Sequence, residues 1–126
     1  MELSVGAGIH ASHYDGVAGD GSYVARTARM QLISQVEVGH GCPISMTGAV
    51  LPALREQPEL AAVWEPRIRT RSYDPRLVDP ATKAGNLLGM GLTEKQGGSD
   101  VRSNTSSAVP VDGGGPGGEY LSLIHI

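Results

Sequence analysis

The sequence predicts an α+β chain, helical in its first half and strand-forming in its second. Apolar residues recur at helical spacing between residues 22 and 65. From Leu88 the spacing changes to alternation, with Leu88, Met90 and Leu92 separated by Gly89 and Gly91. A third observation limits the reading. The 126 residues include no Phe, one Trp and four Tyr against 18 Gly and eight Pro. Such a chain is long enough for a modest core but poorly supplied to fill it, which predicts an incomplete piece of a larger fold.

Met1–Gly21 has little periodicity and many small or polar residues. His10 and His13 lie three apart with Asp15 close behind, but nothing nearby completes a tetrahedral metal set and His40 is distant. They read as solvent or loop histidines. No strained nucleophile turn supports Ser-His-Asp chemistry either. Ser22 is a candidate N-cap for a helix over Tyr23–Val38. Its expected buried stripe is Val24, Ala28, Leu32 and Val36, widened by Ala25 and Ile33. Arg26, Arg29 and Glu37 fall off the stripe as a solvated face, and Gly39 and Gly41 stop the helix.

His40-Gly41-Cys42-Pro43 reads as a connector. A second helix is expected from Ser45 to about Arg55, weakened by Gly48 and Pro52. Pro58 suits the first position of a third, short helix that buries Leu60, Val63 and Trp64 and ends at Pro66. Trp64 reads as a packing anchor. Arg67–Pro80 mixes Arg67, Arg69, Arg71 and Arg76 with Asp74 and Asp79, the pattern of a solvated linker. A strand over Asn86–Thr93 follows. After the polar residues 102–107, Asp112–Gly118 reads as a loose hairpin connection, and Glu119-Tyr120 opens the next strand.

A formal charge of -3 and a pI near 5.7 leave no electrostatic footprint for nucleic acid or an anionic membrane. The lone Cys42 rules out an internal disulfide, suits a reducing cytoplasm and reads as a small buried hydrophobe. No apolar run approaches the roughly 20 residues of a membrane span. Met1-Glu2-Leu3 lacks the start of a signal peptide. These features predict a soluble cytoplasmic protein.

The chemistry concentrates in Gly89–Val101. The glycine face of the expected strand admits close approach of a flat group or another backbone. Gly97 and Gly98 free the loop and bare its N–H groups, while Thr93 and Ser99 supply hydroxyls. Such a loop suits an anionic or polar cofactor. The string Thr93-Glu94-Lys95-Gln96-Gly97-Gly98-Ser99-Asp100-Val101 closely resembles the flavin-binding signature of acyl-CoA dehydrogenases, in the variant of their AidB-like, adaptive-response branch. Gly8–Ser12, Gln35–Thr47, Tyr73-Asp74-Pro75 and Thr82–Gly85 resemble the same branch in the same order, so the likeness covers about residues 5–120.

The resemblance implies a division into residues 1–80, the end of an N-terminal α-helical domain with its linker, and 81–120, the start of a flavin-binding, β-barrel-like middle domain. It implies FAD as cofactor, with Met90, Gly91, Leu92 and Thr93 beside the flavin ring and Thr93 on its pyrimidine end. Gly97, Gly98 and Ser99 would approach a phosphate. Glu94 is then a loop residue. The family's base is a glutamate in a C-terminal bundle that this chain lacks, so no residue here is assigned as catalytic, and the chain alone is expected to be inactive. For the whole protein the resemblance implies α,β-dehydrogenation of an acyl-CoA thioester in a homo-oligomer. The alternative is a flavin-containing DNA-alkylation-response protein that binds double-stranded DNA through a C-terminal region. The likeness fails after Tyr120. Leu121-Ser122-Leu123-Ile124-His125-Ile126 matches one reading frame of a transposase adapter used in sequencing libraries, so 121–126 is expected to be a non-native tail, although its apolar residues also suit a short strand.

Overall fold

The computed structural model describes residues 1–16, 19–91, 98–115 and 118–123. It divides into two compact units, Met1–Gly89 and Met90–Ile126. The chain is α+β, with four α-helices and one two-stranded sheet among the described residues.

In the first unit the N-terminal segment contributes to the core. It opens with α1, Glu2–Gly6, and Val5 and Ile9 join Ile44 in one buried cluster. Ala11 joins Leu51 and Ile68 in a second. His10 and His13 are 1% and 7% exposed, which corrects their reading as solvent or loop histidines. Short, nonperiodic segments like this one carry no signal of burial because too few residues face the core to show a repeat.

Helix α2 spans Ser22–Ser34. Gly21, at φ +80, takes the N-cap position, and the Asp20 carboxylate accepts the Ser22 N–H at 2.8 Å, so Ser22 is the first helical residue and not the cap. The helix stops short of Val38 because the chain tightens at its end, with Gln35 and Val36 donating to the carbonyls three residues back. The Glu37 carboxylate then accepts from the Gly39 N–H and pairs with His40, drawing the chain into a turn. The expected apolar stripe faces outward: Val24 and Leu32 are 73% and 67% exposed, and Val36, beyond the helix, is also exposed. Met30 and Ile33 pack on the first cluster, and Arg26 turns inward to donate from Nε to the Ile9 carbonyl at 2.9 Å.

Helix α3 runs Gly41–Arg55, taking in the residues read as a connector, with Pro43 harmless in its first turn. Ile44, Thr47, Gly48 and Leu51 form its buried face. Pro52 does not break the helix. It cannot donate to the Gly48 carbonyl, and the Tyr14 hydroxyl donates there instead at 2.9 Å. Gly48 is required by space: a Cβ there would lie 2.4 Å from the His10 carbonyl oxygen.

Helix α4, Pro58–Arg69, begins at Pro58 as expected but passes through Pro66. Ile68, two residues further on, is fully buried in the second cluster, and its burial offsets the proline penalty. Trp64 packs on the same cluster, whereas Val63, read as buried, is half exposed. Helices α3 and α4 pack on each other.

In the second unit, β1 (Ser107–Pro110) pairs antiparallel with β2 (Tyr120–Leu123), in a register running from Ser107↔Leu123 to Pro110↔Tyr120. The expected hairpin connection is present. Gly113, Gly114 and Gly115 all have positive φ, a backbone only glycine takes without strain. The Gly115 N–H donates to the Tyr120 hydroxyl at 2.6 Å. The strand expected over Asn86–Thr93 is corrected: its described part, 86–91, is in no ladder.

Candidate functional site

What holds residues 84–88 without a strand partner is a set of alternate N–H groups. Ala84 donates to the Asp74 carboxylate at 3.2 Å, Asn86 to the Arg67 carbonyl at 3.1 Å and Leu88 to the Thr47 hydroxyl at 3.0 Å. The period of two is that of extended backbone. Helices α3 and α4 and the following loop supply the acceptors in place of a neighbouring strand. Leu87 packs on the first cluster and Leu88 on the second, so this strap lies across both. The Asn86 amide adds a bond to the Pro80 carbonyl at 3.0 Å.

Asp74 organises the entry to the strap. Its carboxylate takes the Arg76 guanidinium on both oxygens, at 2.8 and 2.6 Å. Hydrogen bonding to Arg76, joined by the Arg76 and Ala84 N–H groups, holds its carboxyl well below the usual carboxylate range. A residue read as linker is therefore a buried bracket. The linker's other arginines are also engaged. Arg69 reaches Asp15 at 2.6 Å and Glu65 at 3.1 Å, Arg71 reaches Asp15 at 3.7 Å, and Arg67 lies 5.4 Å from the Trp64 ring centre.

Beyond the strap, Met90 is about half exposed, at 48%. A Cβ built at Gly89 or Gly91 meets nothing within 4 Å among the described residues, so this backbone is uncovered. Leu92, Thr93, Glu94 and Gly97 lie outside the described residues. Gly98 has φ +44, and Ser99 is exposed. Asp100 caps the short turn Val101–Ser103, accepting the Arg102 N–H at 3.2 Å.

No group of three or more His, Cys, Asp or Glu among the described residues is placed to hold a metal ion. Cys42 is exposed, which corrects its reading as a buried hydrophobe: it lies in the first turn of α3, off that helix's buried face. The buried histidines have a pH consequence instead. His10 donates from Nε2 to the Thr70 carbonyl at 3.1 Å, leaving Nδ1 buried without a partner, and His13 Nδ1 is likewise unpaired. Burial lowers the pKa of both. Below about pH 6.5 the unfolded chain takes up protons that the folded chain resists, so stability falls with falling pH. The slope is at most about 1.4 kcal/mol per pH unit for each histidine. Urea unfolding at pH 7.5 and 5.5 tests this. The midpoint drops at the lower pH, and His10→Gln reduces the drop; a midpoint that rises on acidification contradicts it.

Thr47, Asp74 and Arg67 hold the approach to the signature, and none of them stands out as a holder in the sequence. Only Thr47 left a trace, a hydroxyl among the apolar residues of one helix face. Among the described residues, no helix is long and apolar enough to cross a membrane. A family model described as the adaptive response protein AidB N-terminal domain matches residues 1–75. The Escherichia coli (strain K12) protein named "Putative acyl-CoA dehydrogenase AidB" is 43% identical over 107 residues, 84% of this chain and 20% of that relative. The chain thus spans about a fifth of its relative's length. It belongs to the AidB-like branch of the acyl-CoA dehydrogenase flavoprotein family.

Proposed function

We propose that this chain carries one edge of the FAD site of an acyl-CoA dehydrogenase-like oxidoreductase. The observation that carries the reading is the continuity of the anchored strap with the signature. Leu88 is fixed by Thr47 and by the second cluster, and within two residues the chain becomes the uncovered backbone of Gly89, Met90 and Gly91. A bare, glycine-flanked edge next to a rigid anchor fits the approach of a flat ring. The positive φ of Gly98 beside the exposed Ser99 fits a loop that presents N–H and hydroxyl donors to a phosphate.

In this reading Met90, Gly91, Leu92 and Thr93 line the flavin, and Thr93 donates its hydroxyl to the ring's polar end. Gly97, Gly98 and Ser99 bind the phosphates. FAD supplies hydride acceptance, here from the β carbon of an acyl-CoA thioester. The residues of this chain bind and orient it, and the proton-removing base lies in another part of the whole protein.

The test is FAD titration of the whole apoprotein and its Thr93→Val variant. Losing one hydrogen bond of about 1 kcal/mol raises Kd roughly fivefold, and more where a flavin atom is left unpaired. Equal affinities remove Thr93 from the site.

A further inference from the structure

Between the short turn Ser12–Tyr14 and the start of α2 lies a cleft of about 610 Å³, within the range of small-molecule sites. Three rings border it: His13, Tyr14 and Tyr23. The His13 ring centre is 4.0 Å from that of Tyr14 and 4.8 Å from that of Tyr23, the latter pair edge to face. The walls are tied together, since the Ser22 hydroxyl donates to the His13 carbonyl at 3.3 Å. His13 is 7% exposed, and neither of its ring nitrogens has a hydrogen-bond partner among the described residues. Tyr23 is 63% exposed, which leaves ring surface open for stacking.

The polar groups of the cleft carry both signs. The hydrogen-bond ladder of α2 begins with the Ala25 N–H on the Gly21 carbonyl, and the Ser22 N–H goes to Asp20. The N–H groups of Tyr23 and Val24, which also line the cleft, have no acceptor among the described residues. Arg55 adds a guanidinium 5.1 Å from the Tyr14 ring centre. Against these donors stands the Asp20 carboxylate, a group that accepts several hydrogen bonds at once. Asp20 opposes an anion. The positive end of α2 opposes a cation, and Arg55 already holds the Tyr14 ring. Burial lowers the His13 pKa, so near pH 7.5 that ring adds no third charge. A neutral, flat ligand meets none of these objections.

We infer that this cleft binds a neutral, planar heteroaromatic compound with a hydrogen-bond acceptor and an N–H donor side by side on one edge, the chemistry of adenine or nicotinamide. The ring stacks on Tyr23. Its acceptor takes a backbone N–H at the start of α2, and its donor goes to Asp20. The site uses no residue of the flavin signature and stands or falls apart from the flavin reading.

The experiment titrates adenine and nicotinamide calorimetrically into the whole protein in the presence of excess FAD, with benzoate and tetramethylammonium as charged comparisons. Each ring compound is expected to bind with a Kd of about 1 mM or tighter, as its size allows. Tyr23→Ala should raise that Kd about tenfold by removing the stacking surface. Asp20→Asn should raise it about fivefold, because asparagine still caps the Ser22 N–H but offers no charged acceptor. Tyr23→Ala alters an exposed ring, so its comparison holds even where Asp20→Asn fails to fold. Failure of both ring compounds to bind overturns the inference. Benzoate or tetramethylammonium binding as tightly overturns it too, as does equal affinity in wild type and Tyr23→Ala.

Discussion

Gly85→Ala is expected to destabilise the fold by about 3 kcal/mol, the upper part of the range for overpacking a close-fitted site. A Cβ at Gly85 would lie 2.1 Å from the Ser72 carbonyl oxygen and 2.6 Å from the Thr70 Cγ2. Neither neighbour can give easily, since one is backbone and the other a branched side chain. The glycine cannot retreat either. Its flanking residues are pinned, Ala84 by Asp74 and Asn86 by Arg67. The added methyl must lift the strap or push out residues 70–72, and each breaks an anchor. Trp64 is the only tryptophan and packs on the second cluster, so its fluorescence in urea reports the loss. A variant within about 0.5 kcal/mol of wild type, the range of an ordinary surface change, would mean that the strap is not seated against Thr70 and Ser72.

That prediction has no counterpart in the sequence, and the reason is physical. Periodicity reports that a segment has an apolar side. It does not report which neighbour that side meets. Val24, Ala28 and Leu32 make a regular stripe on α2, yet the chain turns Arg26, Met30 and Ile33 inward, because Arg26 finds the Ile9 carbonyl there. Proline penalties are local, but their relief is not. Pro52 weakens the sequence pattern of a helix whose freed carbonyl is taken by Tyr14, 34 residues before Gly48. The hairpin was legible because its requirement is local too: consecutive positive φ angles demand glycine, and Gly113–Gly115 display it openly. The site divides in the same way. The signature can be read as a string, since its glycines and hydroxyls are consecutive. Its support is scattered over Thr47, Arg67 and Asp74, three acceptors that only the fold brings to one strand-like segment.

The contrast between two leucines puts the outward rotation of α2 to the test. Leu51 has no exposed surface and sits in the cluster with Ala11 and Ile68, bordered by Trp64 and Leu88. Truncating it to alanine removes buried methyl groups and opens a void. The surroundings are held by the Tyr14–Gly48 and Thr47–Leu88 hydrogen bonds on the same stretch of α3. A site that cannot collapse lies toward the costly end for such changes, so Leu51→Ala should lose about 3 kcal/mol or more. Leu32 carries the same side chain on the outward face of α2, 67% exposed. Leu32→Ala creates no cavity and gains slightly in helix propensity, so its effect in this chain should stay within about 0.5 kcal/mol. Sequence periodicity puts Leu32 on an expected buried stripe and singles out no such stripe on the second helix. Equal losses in urea unfolding would show that the Val24–Leu32 stripe is buried after all, and α2 would have to be turned about its axis to account for them.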